Sequence, residues 1–246
     1  MNAPWKALLL VLSIAPTSSC SRISEAELAH EREDGLPFFS DSDLTPAWPT
    51  RAASASPAFH RVRTFRFTNQ SGTAVTEELL DGKISVINFF FATCGGICPR
   101  MTDNLAKVQE AFPGDDVVLL SHSVTPEIDT VSALKSYAAM KGIQPTKWHL
   151  VTGERDEIYR AARESYFADE GAALNGNSDD FLHTEKVYLL DRQRRIRGVY
   201  NGTRAMDIDR LMEDIRTLRG ASHPGARREH PAGSQFSWSS PPEPLR

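Results

Sequence analysis

Cysteine is scarce in this chain: Cys20, Cys94 and Cys98 are the only three among 246 residues. That excludes a small secreted domain stapled by several disulfides, which carries more cysteines and spreads them along its length. Charge of one sign is missing too. Lys and Arg number 28 against 32 Asp and Glu, a formal net charge of -4. No dense basic run lies beside an aromatic platform, so no nucleic-acid partner is expected. Long apolar runs are absent: a helical span needs about 20 such residues, and no stretch reaches that. There is no internal repeat, and no proline between Pro145 and Pro224.

At 40% hydrophobic and 24% charged, the composition is that of an ordinary globular protein. The first twenty residues read as an export signal. Lys6 supplies positive charge, Ala7 to Ala15 (ALLLVLSIA) a short apolar core, and Thr17, Ser18 and Ser19 the small residues before a cleavage point. Cys20, directly after them, matches the acylated cysteine of a bacterial lipobox, although Thr17 stands where leucine is usual. Cleavage after Ser19 with Cys20 a spare thiol is the competing reading. Both expect an extracytoplasmic, periplasmic protein, and the first adds a lipid anchor in a membrane.

Residues 21–58 are rich in Ser, Pro, Ala and acidic side chains and read as a flexible tether. Residues 221–246, with five prolines and no apolar periodicity, read as a disordered tail. The folded domain is expected over 59–220, long enough to bury most of its apolar surface without staples.

Within it, Arg63 to Phe67 alternates as a half-buried strand and Ile84 to Phe91 (ISVINFFF) is apolar and β-prone, a central strand covered on both faces. Pro99 to Phe112 carries a helical stripe of Met101, Leu105, Val108 and Phe112. Val117 to Ser123 is the next strand. A helix capped by Asp129 reaches Lys141 and stops at Gly142. Trp148 to Val151 is a short strand, and a helix starts at Glu154. Lys186 to Leu190 and Ile196 to Tyr200 form a hairpin, and Ile208, Leu211, Ile215 and Leu218 line a last helix. This order is α/β and thioredoxin-like, a central mixed β-sheet flanked by helices.

The chemistry concentrates in Phe89-Phe90-Phe91-Ala92-Thr93-Cys94-Gly95-Gly96-Ile97-Cys98-Pro99. Pro99 fits a first helical turn, where no backbone donor is missed. That puts Cys98 at a helix start, where free N–H groups and the helix dipole stabilise thiolate, and Cys94 in the loop before it. Gly95 and Gly96 are expected to let that loop fold back. Two sulfurs so placed can close reversibly into a disulfide or hold one soft metal ion. The bland alternatives are a local structural disulfide or two inert buried thiols. A disulfide across so short a loop stabilises a fold by no more than about 2 kcal/mol.

These residues resemble the Sco/SenC family, the thioredoxin-like copper-handling proteins of cytochrome c oxidase assembly. Cys94, Cys98 and Pro99 match its Cys-x-x-x-Cys-Pro loop. Val124-Thr125-Pro126-Glu127-Ile128-Asp129-Thr130 matches a second segment, with Thr125 where the family usually has Asp. Phe181-Leu182-His183-Thr184 matches the segment carrying the family's metal-binding histidine, and Asn201-Gly202 also fits. The resemblance covers Phe65 to Leu218. It implies a copper ion bound by Cys94, Cys98 and His183. It also implies delivery to the copper-centre subunit of cytochrome c oxidase, with a thioredoxin-like protein as reductant of the pair. His122 and His149 are expected to be structural.

Two functions follow. One is a copper metallochaperone; the other is an extracytoplasmic thiol-disulfide reductase in which Cys94 and Cys98 are the redox pair acting on a partner's cysteines. A lipoprotein whose fold serves only for binding is the third and weakest.

Overall fold

The computed structural model describes residues 35–168 and 184–220. Its elements, in chain order, are a short helix α1 (Arg51–Ala55), strands β1 (Arg66–Asn69) and β2 (Ala74–Thr76), and strand β3 (Ile84–Phe90). Then come α2 (Ile97–Ala111), β4 (Val117–Ser123), α3 (Val131–Lys141), β5 (Trp148–Thr152) and α4 (Arg155–Tyr166). The hairpin β6 (Lys186–Leu190) and β7 (Ile196–Asn201) leads into α5 (Ala205–Gly220).

The strands form one seven-stranded sheet in the order β2-β1-β5-β4-β3-β6-β7. β3 runs parallel to β4 and antiparallel to β6, so the sheet is mixed. Every residue of β3 and β4 is buried because both faces of the sheet are covered, and most are apolar; Ser85, Asn88, Ser121, His122 and Ser123 are the polar exceptions. One face carries a core of Val86, Met101, Leu105, Leu119, Trp148 and Leu211 beneath α2, α3 and α5. The other carries Phe67, Phe89, Leu120, Val151, Ile158 and Tyr188 beneath α4. The fold is thioredoxin-like. Among the described residues no helix is long and apolar enough to cross a membrane.

Three local expectations differ from the structure. The first strand begins three residues later than its alternation suggests and runs to Asn69. α3 is capped by Thr130, whose side chain accepts from the Ala133 N–H, and not by Asp129, whose carboxylate is turned inward. Residues 35–58, read from composition as tether, lie against the domain. Phe38 pairs with Ala47, and Phe39 bridges to Ile196 at the start of β7. Arg197 holds this strap in place. Its guanidinium is buried, donates to the Leu36 and Pro37 carbonyls at 2.9 and 3.0 Å, and lies 3.8 Å from the Phe38 ring centroid. Arg195 donates to the Ser54 carbonyl and pairs with Asp191 at 2.7 Å. Buried guanidinium groups are tolerated when every face finds an acceptor or a ring, and the strap supplies them.

Candidate functional site

β3 delivers its C-terminal end to a loop, 91–96, that turns into α2. The loop closes with Cys94 N–H donating to the Phe91 carbonyl at 3.3 Å. α2 begins at Ile97, and the residue before it, Gly96, has no side chain to cap the helix. The first N–H groups therefore remain available, and the Cys94 sulfur takes them: the backbone of Cys98, Gly96 and Ile97 hydrogen-bonds to it. Neither Gly95 nor Gly96 sits in the left-handed region, and a methyl group on either would meet open space. Glycine here keeps the approach to Cys94 clear; the chain path does not require it.

Cys94 is half-buried and Cys98 buried, and both are free thiols. Cys98 is part of the core with Phe90, Met101 and Tyr137, while Cys94 packs on its rim. Burial acts on Cys94 by raising its pKa. The three backbone donors and the Cys98 side chain outweigh it, so the thiol lies below its ordinary value. Burial dominates at Cys98 and pushes it up to about 12, partly opposed by the Phe91 backbone and reinforced by Cys94 and the charge of Asp129. The pair thus has a half-buried member whose thiolate is favoured and a buried member whose thiolate is disfavoured.

Asp129 is the residue the sequence reading missed. It is fully buried. Its carboxylate accepts from the Ala92 N–H at 3.1 Å, Ser123 Oγ at 2.6 Å and Thr125 Oγ1 at 3.1 Å. This latches the loop before Cys94 to the loop after β4. An acidic residue just before a helix reads as a cap, and that reading hid the other role. The hydroxyls at 123 and 125 were the available signal. Beneath the pair, Tyr137 of α3 hydrogen-bonds Thr102 of α2 at 2.9 Å.

His183 and Cys20 lie outside the described residues. The chain is described again from Thr184, and Val187 of β6 pairs with Asn88, two residues before the end of β3. The start of β6 therefore stands beside the strand end that carries the thiol loop. Among the described residues no group of three or more His, Cys, Asp or Glu could hold a metal. His122 belongs to the opposite face of the sheet, stacked on Phe89 with a centroid separation of 5.1 Å. His149 Nδ1 contacts Asn69 Nδ2 at 3.2 Å. Neither takes part in the thiol site.

The family model described as SCO1/SenC matches residues 53–220. Three solved structures illustrate the likeness. A SCO1/SenC family lipoprotein from Bacillus anthracis is 28% identical with a TM-score of 0.57, over 67% of this chain and 98% of that one. BsSco, described as a Sco-family cytochrome c oxidase assembly protein with a disulfide switch, is 29% identical with a TM-score of 0.57, over 67% and 96%. ScoI of Bradyrhizobium japonicum with copper bound is 27% identical with a TM-score of 0.51, over 64% and 99%.

Proposed function

This chain belongs to the SCO1/SenC family, and from that premise we propose that it is a copper metallochaperone for the copper centre of cytochrome c oxidase. Copper would be held by Cys94, Cys98 and His183 and passed to the oxidase subunit that bears that centre. The observation that carries the reading is the placement of the pair: two cysteines of unequal character, one reachable and one buried, at a strand-to-helix turn. Thiolates are soft ligands suited to copper, and a neutral imidazole is a good third one. A structural relative, ScoI, has been solved with copper bound.

The remainder of the reading is carried by sequence. Residues 1–20 are an export signal, Cys20 a lipid attachment site, the part of 21–58 before the strap a tether and 221–246 a tail, with the family match spanning 53–220. The chain works outside the cytoplasm on a membrane anchor, as the lipoprotein description of the Bacillus anthracis relative supports. Binding replaces the thiol protons with the metal, so both protons leave to solvent and affinity falls as pH is lowered.

A thiol-disulfide reductase is the second reading, favoured by the opposite displacement of the two thiols. The Cys94 thiolate attacks a partner disulfide, forming a mixed disulfide and releasing one partner thiolate. Cys98 gives up its proton and attacks Cys94 Sγ, closing the Cys94–Cys98 disulfide and releasing the second. Two electrons pass from this chain to the partner, and a thioredoxin-like reductant restores the dithiol.

Titration of the reduced protein with Cu(I), against a chromophoric competitor, tests the first reading. One copper per chain is expected, with His183→Ala binding more weakly yet still forming the disulfide. Equal binding by wild type and His183→Ala, or none by either, removes the chaperone and leaves the reductase.

A further inference from the structure

Asp129 does more than its latch requires. The latch is made of donors only: a backbone N–H and two hydroxyls meet the carboxylate, and no cationic group is among these partners. Hydroxyls rotate and can accept as well as donate. An asparagine would therefore hold the same two loops, its oxygen on the Ala92 N–H and its amide on Ser123 and Thr125. A full negative charge taken out of water is costly unless something uses it. It is also poorly screened by salt, since ions cannot approach a side chain with no exposed surface.

The charge acts on the Cys98 thiol and is bonded to the loop that carries Cys94. Ala92 is two residues before Cys94, Val124 N–H donates to the Phe90 carbonyl, and Thr125 N–H donates to Ser123 Oγ. These bonds hold the carboxylate at one place relative to the loop 91–96. We propose that Asp129 is a positioning and selectivity residue of the thiol pair, whose fixed negative charge favours cations and neutral disulfides at Cys94 and disfavours anionic ones. The proposal rests on the reading of Cys94 and Cys98 as the working site, and applies whether their cargo is a metal cation or a partner disulfide. Thr125 keeps the local charge at one. It donates to Asp129 at 3.1 Å at the position where the resemblance leads one to expect a second acid.

The test uses the reduced full chain carrying Cys20→Ser, so that only the pair reacts. Two aromatic disulfides serve as probes: 5,5′-dithiobis(2-nitrobenzoate), which is anionic, and 2,2′-dithiodipyridine, which is neutral. In each case the Cys94 thiolate displaces one aryl thiolate to give a mixed disulfide. Cys98 then displaces the second and closes the Cys94–Cys98 bond, the two thiol protons passing to solvent. The quantity read is the ratio of the anionic to the neutral rate, which cancels changes in thiolate fraction and in loop mobility common to both.

Asp129→Asn should raise that ratio by about threefold or more, the effect of one unit charge felt across a short, partly desolvated distance. Ser123→Ala, which weakens the latch and keeps the charge, should leave it unchanged. Asp129→Ser, smaller and equally neutral, should move it in the same direction as Asp129→Asn. This variant decides the matter if Asp129→Asn does not fold. A ratio unmoved in either charge variant, or moved as far in Ser123→Ala, overturns the proposal. A copper arm separates this from the function above: Asp129→Asn should weaken copper binding by about 10- to 100-fold. If wild type binds no copper, the metallochaperone reading falls while the rate ratio still decides the role of Asp129.

Discussion

Cys94, in the loop before α2, and Cys98, in the first turn of α2, have surroundings that displace their thiols in opposite directions. The free backbone donors of an uncapped helix act on the first, and burial acts on the second. The consequence is an order of events: Cys94 reacts with an outside partner and Cys98 reacts with Cys94. Alkylation by iodoacetamide at pH 8 should label Cys94 in a Cys98→Ser variant at least about 100-fold faster than Cys98 in a Cys94→Ser variant. Mass spectrometry of a time course, in a Cys20→Ser background, reads both rates. Equal rates would mean that the order is not built into the site.

The strap gives a prediction about where the stable unit starts. A chain beginning at residue 59 would take the Leu36 and Pro37 carbonyls and the Phe38 ring from Arg197, and the Ser54 carbonyl from Arg195, while both keep Asp191. Each hydrogen bond lost by a charged group costs about 1.5–3 kcal/mol. Urea unfolding should show residues 35–220 as stable as the full chain and residues 59–220 markedly less so. Equal midpoints for the two fragments would show that the strap adds nothing.

His122 makes the fold sensitive to acid. It is completely buried among Phe65, Phe67, Phe89 and Tyr166, and neither ring nitrogen has a hydrogen-bond partner. Burial lowers its pKa from 6.5 to about 3. The unfolded chain takes up a proton first as pH falls, so stability is full above about pH 6.5 and is lost towards pH 3. The loss is about 1.4 kcal/mol per pH unit within that window. His60 and His149 are shifted down by burial too, so His122→Leu should shrink the acid slope without abolishing it. Chemical unfolding at pH 7, 5.5 and 4 measures this; parallel curves for wild type and variant would refute it.

Gly202, at the turn between β7 and α5, is required by contact. A Cβ there would lie 2.6 Å from Met101 Cγ and 2.8 Å from Val187 Cγ2. Its carbonyl also accepts from Asn104 Nδ2 at 2.9 Å, tying the turn to α2. Gly202→Ala should cost about 1–3 kcal/mol in thermal or urea unfolding, and Met101→Ala in the same chain should recover part of it. A neutral Gly202→Ala would mean that the two side chains yield freely.

The parts of this protein that were legible from sequence are those where local pattern and tertiary role agree. Ile84 to Phe90 is mostly apolar because both sides of the sheet are covered. Gly142 ends α3 in the left-handed conformation that its identity suggests. Pro99 marks Cys98 as the start of a helix and Cys94 as part of the loop before it, as the fold has them. Legibility failed where one residue type serves two purposes. Asp129 before a helix looks like a cap, and only the fold shows that Thr130 takes that task and frees the carboxylate for the loop of Cys94. It failed again where the partner is remote. The strap has the Pro and Ser content of a linker, and its anchors, Arg195 and Arg197, lie 141 to 161 positions further on in the chain.

The strap also fixes a polarity. Phe39 bridges to Ile196, the first residue of β7, which is level with Leu190 and through it with Ser85 near the beginning of β3. The thiols leave from the far end of β3, five residues beyond Ser85, or roughly 17 Å along the strand. The described chain thus joins its domain at one pole and exposes its reactive sulfur at the other. The strap and the loop of Cys94 therefore occupy opposite ends of the sheet and do not compete for the same space.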